Sequence, residues 1–224
     1  MMIYSGKEQK LKLDKKTMRL YAITDRHWLN GESLIKQVED VLKAGATFLQ
    51  LREKDFTHTE MVNEAKEIKK ITDKYNVPFV INDDILAAKE IDADGVHIGQ
   101  SDMEYSKARE ILGPDKIIGI SAGNVQEAIT AEKMGADYIG VGAVFHTSTK
   151  KDAKDMSRET LLAIANSVNI PIVAIGGITY DNMDYLKDTG VHGVAVISAI
   201  FGSGNPGKAT EKLFSKTKEV FGYE

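Results

Sequence analysis

From Arg19 onward a short run of β-branched and apolar residues is followed by a longer stretch of helical period, and the pair recurs eight times before the chain ends. The strand-like runs lie at 19–25, 47–53, 78–83, 95–99, 116–121, 138–145, 171–177 and 193–198. Helical stretches lie at 33–44, 58–75, 124–134, 158–167 and 206–221, with polar residues at their starts or glycine after their ends. Asn124 and Glu127 make a capping-box pattern at the head of one of them. Several helices pass into the next strand through a short Ala/Gly/Asp link, at 44–47, 92–95, 135–137 and 189–193, where glycine lets the chain turn tightly. An open doubly wound sheet can be built from such units. Eight like cells favour closure instead, so the predicted fold class is α/β, a single-domain (β/α)8 TIM barrel.

The 224 residues suit one such domain, with 1–17 a polar lead-in packing on the barrel and 18–224 the barrel itself. A net charge of −4 gives no overall attraction to nucleic acid or to anionic membranes. An anion site must therefore be made locally, and the expected partners are small molecules; the oligomeric state stays open. Without cysteine there is no disulfide, thiolate metal site or cysteine nucleophile. The first twenty residues contain no apolar leader, and no run approaches a membrane span, so cytoplasm is the expected compartment.

In a barrel the chemistry sits at the C-terminal ends of the strands. The second run ends Gln50-Leu51-Arg52-Glu53-Lys54-Asp55, and alternation sets Gln50, Arg52 and Lys54 on one side, with Leu51 and Glu53 on the other. That is either a solvated strand end or a cationic edge facing an anion. The third run ends Asn82-Asp83-Asp84, and the fourth is followed by Gly99-Gln100-Ser101-Asp102. Asp83 and Asp102 leave neighbouring strands, a placement that suits Mg2+ carrying substrate phosphate; Asp83 or Asp84 taken singly reads first as a helix cap, and the basic group of the second run is what favours the metal reading. Ser121 ends the fifth run, where serine is commonly a turn residue. After the sixth come Thr147, Ser148, Thr149 and Lys150, short hydroxyls and a mobile cation suited to phosphate oxygens, beside His146, which is either an acid/base group or incidental. The seventh ends Gly176-Gly177 and the eighth Ile197-Ser198, the two strand ends where barrels commonly hold a phosphate on backbone N–H groups.

The motifs QLREKD (50–55), IND (81–83), GVHIGQSD (95–102), TSTKKDA (147–153), AIGGI (174–178) and AVISAI (195–200) stand in the order seen in thiamine-phosphate synthases, and the chain resembles that family from about Leu20 to Gly202. The family joins a pyrimidine methyl diphosphate to a thiazole phosphate, releases pyrophosphate and needs Mg2+. The resemblance implies a pyrimidine diphosphate site in the 50–54 segment (Gln50, Leu51, Arg52, Glu53, Lys54) with Asn82, and Mg2+ on Asp83 and Asp102. Ser121 and Lys150 would meet the pyrimidine or the leaving pyrophosphate. Thr147, Ser148, Thr149, Gly177, Ile197 and Ser198 would cradle the thiazole phosphate. Arg52, Lys54, Ser121 and Lys150 then form the catalytic set, in a dissociative substitution without a covalent enzyme intermediate. Three positions depart from the family pattern: Ala143 and His146 replace prolines, and Leu86 replaces an aspartate. A thiazole tautomerase, a phosphosugar isomerase or epimerase, and a non-catalytic phosphate sensor on the same barrel are the competing readings. The tautomerase has less use for a Mg2+ diphosphate clamp, the isomerase or epimerase does not require two carboxylates beside Arg52 and Lys54, and turnover separates the sensor.

Overall fold

The β-branched runs form eight short strands: β1 (Leu20–Ile23), β2 (Phe48–Leu51), β3 (Phe79–Asn82), β4 (Gly95–Ile98), β5 (Ile117–Ala122), β6 (Tyr138–Val141), β7 (Ile172–Ile175) and β8 (Gly193–Val196). In the computed structural model, which describes residues 13–29, 31–100, 105–147 and 156–223, they pair in parallel in chain order and close into a barrel. Seven of the eight end earlier than the apolar run suggests, because the last residues leave the ladder at the rim and become loop. The sixth run is the clearest case: β6 stops at Val141, and Gly142 then passes so near β7 that a Cβ there would lie 2.1 Å from the Ile175 carbonyl oxygen.

Eight α-helices occur among the described residues: α1 (Leu34–Lys43), α2 (His58–Tyr75), α3 (Ile85–Glu90), α4 (Tyr105–Leu112), α5 (Val125–Met134), α6 (Arg158–Ala165), α7 (Ser198–Phe201) and α8 (Pro206–Phe221). Ser33, Thr57, Asn124 and Ser157 cap α1, α2, α5 and α6 through side-chain oxygens, which satisfies N–H groups the helix leaves open. The full capping box is at Thr57 and Glu60. At α5 Asn124 accepts from the Glu127 N–H at 3.0 Å, but the Glu127 carboxylate returns to the Gly123 N–H at 2.7 Å, one residue earlier than the pattern predicts. The link between β7 and β8 carries only a 3-10 turn, Met183–Leu186, and α7 is a short extra helix directly after β8.

Alternation along each strand separates two cores. Outward residues such as Leu20, Leu49, Leu51, Ile81, Val96 and Val194 are sealed beneath the helices. Inward residues Met18, Tyr21, Ile23, Phe48, Val80, Tyr138, Val173 and Ala195 fill the barrel. Each fully buried side chain of this size contributes roughly 1.5–3 kcal/mol of transfer free energy. At the N-terminal end of the strands, the Lys15–Met18 3-10 turn inserts Met18 into the inner core. Beside it the Arg19 Nε donates to Thr217 Oγ1 at 2.7 Å, and the guanidinium lies 3.8 Å above the Phe214 ring.

The same end contains a half-buried histidine. His192 Nδ1 accepts the Ile172 N–H at 3.0 Å, and burial, with the charge of Lys15, lowers its pKa from 6.5 to about 4. Below pH 6.5 the unfolded chain takes up this proton and the folded chain does not, so stability falls as pH drops toward about 4. Melting temperature measured across that interval should fall more steeply for the wild type than for His192→Gln. Parallel curves would remove the assignment.

Candidate active site

The C-terminal ends of all eight strands surround one cavity of about 1010 Å3. Its wall includes Gln50, Arg52 and Lys54 from the end of β2. Leu51 and Glu53 turn the other way: Leu51 is buried in the outer core, and Glu53 lies 3.3 Å from Arg26, which also reaches Glu64 at 3.1 Å and covers Phe56. Burial pushes the Glu53 carboxyl up, opposed by the Arg26 charge. This ion cluster secures the loop that carries Arg52 and Lys54. The loop is tied from below as well, since the Arg52 N–H donates to the buried Thr24 hydroxyl at 3.0 Å and the Thr24 N–H donates to Gln50 O at 3.0 Å.

From β3, Asn82 and Asp83 face the cavity, and the Asn82 amide donates to Asp83 Oδ2 at 2.5 Å. Asp84 is the helix cap, its Oδ1 accepting the Ala87 N–H at 2.8 Å. Of these two adjacent acids, Asp84 is the one that caps the helix. Asp83 has φ +64, in the left-handed region that Asn and Asp tolerate better than other side chains. Asp102 lies outside the described residues, so its distance from Asp83 is not part of the described geometry. Among the described residues no three His, Asp or Glu side chains cluster as a metal site. The Asp83 carboxylate on an open rim does fit an oxygen-seeking cation that keeps waters and completes its shell with phosphate oxygens.

Ser121 from β5 and Thr147 from the loop after β6 also line the wall; Ser148, Thr149 and Lys150 lie outside the described residues, as does most of the 147–153 motif. His146 is exposed and is not part of the wall. Across the mouth stand Gly176, Gly177, Ile197 and Ser198. Gly177 has φ +62, and a Cβ there would come within 2.5 Å of the His146 carbonyl, so only glycine keeps this backbone at the surface of the cavity. The Asn182 amide holds the turn by donating to Gly177 O at 2.9 Å. Ser198 opens α7, whose cap residue Ile197 has no side-chain oxygen to cover the first N–H groups.

Among the wall residues that the sequence did not single out are Tyr21 and His97, and buried behind them, outside the wall itself, is Tyr138. Gln50 Nε2 donates to the Tyr21 hydroxyl at 2.6 Å, the Tyr21 and Tyr138 hydroxyls are 2.9 Å apart, and Tyr138 lies 3.0 Å from His97 Nδ1. His97 Nε2 is 3.0 Å from Ser121 Oγ. Burial raises the pKa of both phenols well above the usual tyrosine range, so both are neutral hydroxyls. The alternation of Val96, His97 and Ile98 turns His97 inward, and that was the available signal.

A closed parallel barrel whose strand ends gather cations, a carboxylate, glycines and hydroxyls around one cavity is the architecture of an enzyme acting on small molecules. Residues 20–200 match the family model described as thiamine monophosphate synthase, and the chain belongs to that family. It is 50% identical over 194 residues to a thiamine-phosphate synthase of Clostridium tetani, covering 87% of this chain and 93% of the relative. With that of Clostridium novyi it is 55% identical over 183 residues, 81% of this chain and 90% of the relative. The solved structure of a thiamine phosphate pyrophosphorylase from Pyrococcus furiosus superposes with a TM-score of 0.85 at 42% identity, covering 92% of this chain and 98% of that one. Among the described residues no helix is long and apolar enough to cross a membrane.

Proposed function

We propose that this protein, an enzyme of thiamine biosynthesis, joins a pyrimidine methyl diphosphate to a thiazole phosphate, giving thiamine phosphate and pyrophosphate. One observation carries the reading: a single cavity has a cationic and acidic edge, Arg52, Lys54 and Asp83, facing a glycine and hydroxyl edge, Gly177, Ile197 and Ser198. Two phosphorylated ligands can therefore be held with their rings between the two edges. A tautomerase or an epimerase has no use for the first edge. We take the compartment to be cytoplasmic.

Breaking the bond from methylene to diphosphate moves a pair of electrons onto the departing oxygen. Arg52 and Lys54, with Lys150, stabilise that charge as it forms. Asp83, together with Asp102, would hold Mg2+, which when bound supplies further positive charge at the diphosphate. The aminopyrimidine delocalises the cation left behind, so no enzyme nucleophile is needed. Gly177, Ser198, Thr147, Ser148 and Thr149 anchor the thiazole through its phosphate, and the ring nitrogen attacks at short range, which is catalysis by positioning. Gln50 and Asn82 orient the pyrimidine, and Leu51 and Glu53 support their loop from behind.

The test mixes both heterocycles with the protein and Mg2+ and reads thiamine phosphate. Product that needs both substrates supports the reading; tight binding of one ligand without turnover makes the protein a sensor instead. A second outcome separates the two edges. Ser198→Asp puts a like charge beside the thiazole phosphate and should raise its KM by about tenfold or more, while the pyrimidine KM changes little. Equal change in both KM values would take Ser198 out of the thiazole side.

A further inference from the structure

The polar chain under the cavity has a direction. The Tyr21 oxygen already accepts from Gln50 Nε2, at 2.6 Å, and its own proton then goes to the Tyr138 oxygen 2.9 Å away. Tyr138 in turn gives its proton to His97 Nδ1 at 3.0 Å, which leaves the imidazole proton on Nε2, facing Ser121 Oγ at 3.0 Å. Run in the opposite sense, with Gln50 as it stands, Tyr21 would keep a buried proton with no acceptor, at a cost comparable to a lost hydrogen bond. With Nε2–H donating to it, Ser121 has its hydroxyl proton to give to the cavity.

The fold makes room for this chain. Tyr21, Gln50 and Tyr138 are 1%, 2% and 0% exposed. A Cβ on Gly119 would lie 2.1 Å from Tyr138 Cζ, and one on Gly140 would lie 3.2 Å from His97 Cε1, so glycines in two strands admit these rings. Packing alone would be served by phenylalanine, which brings no hydroxyl to desolvate. Hydroxyls retained in such a place and ending on a residue of the cavity wall point to a task in the cavity.

We propose that Tyr138 and His97 are positioning residues that hold Ser121 as a hydrogen-bond donor toward the bound substrate. The ligand atom it meets is an acceptor, a diphosphate oxygen or a ring nitrogen, and Tyr138, which does not line the cavity, acts on it only through His97 and Ser121. This rests on the synthase reading above.

The test is a double-mutant cycle on single-turnover pyrophosphate release, with melting temperature followed in parallel. Tyr138→Phe deletes one hydroxyl and keeps the ring. It should slow release by about tenfold in the wild-type background, and by less than about twofold in the Ser121→Ala background, because its effect passes through that hydroxyl. His97→Asn provides the same cycle if Tyr138→Phe does not fold. An unchanged rate in the wild-type background, or the same factor in both backgrounds, overturns the proposal while leaving the synthase reading intact. A wild-type protein that turns over no substrate overturns both.

Discussion

Asp83→Asn should lower kcat/KM by about 10^2 to 10^3 while shifting the melting temperature little. The magnitude is that of losing preorganised stabilisation of a developing anion, here the divalent ion that Asp83 would hold. Asparagine is the informative replacement because Asp83 has φ +64, a conformation asparagine shares and alanine does not. The side chain is exposed, so the replacement buries no unpaired charge. The helix cap is untouched as well, since Asp84 performs that task. Steady-state kinetics and a thermal melt decide the matter together. A loss of stability as large as the loss of activity would make Asp83 a structural residue and move the acidic edge elsewhere.

The largest effect on folding is expected from Gly95→Ala at the start of β4. An added Cβ would lie 1.8 Å from the Ile117 carbonyl oxygen and 2.6 Å from its carbon. Those atoms are backbone of the neighbouring β5, and Gly95 and Ile117 are register partners in the ladder. No side chain can swing aside, so the barrel must open locally to admit the methyl group. Overpacking of this kind costs typically 1–3 kcal/mol, and forcing two strands apart should bring it to about 4 kcal/mol. Natural domains have only about 5–15 kcal/mol in hand. Urea unfolding should show a midpoint reduced by a third or more, or no soluble folded protein. A midpoint equal to that of the wild type would mean that the β4–β5 contact is looser than the geometry indicates.

What the sequence disclosed is what strand period and strand ends encode. The alternation at Gln50, Arg52 and Lys54 against Leu51 and Glu53 was readable because a strand sends neighbours to opposite faces whatever its partners are. The bounds of α2 and α8 were readable because Thr57 with Glu60, and Pro206 after Asn205, are local signals. The Tyr21–Tyr138 contact was not, because it joins residues 117 apart across the barrel interior, and a tyrosine in a strand reads as ordinary core. The Arg26 cluster was hidden for the same reason, its partners Glu53 and Glu64 coming from the next strand end and helix. At α5 the local signal was right in kind and displaced by one residue, since the Glu127 carboxylate found the Gly123 N–H within easier reach. Asp102, Ser148, Thr149 and Lys150 lie outside the described residues, so their parts in the site rest on the motifs and the family.

The central claim is that charge forming on a departing diphosphate is stabilised at this rim with the help of a divalent ion. Rapid-quench measurement of pyrophosphate during one turnover, with enzyme in excess and both heterocycles present, tests it most directly. One pyrophosphate per thiamine phosphate with Mg2+ supplied, and none in excess chelator, is the predicted result. Release at the full rate in excess chelator would contradict it.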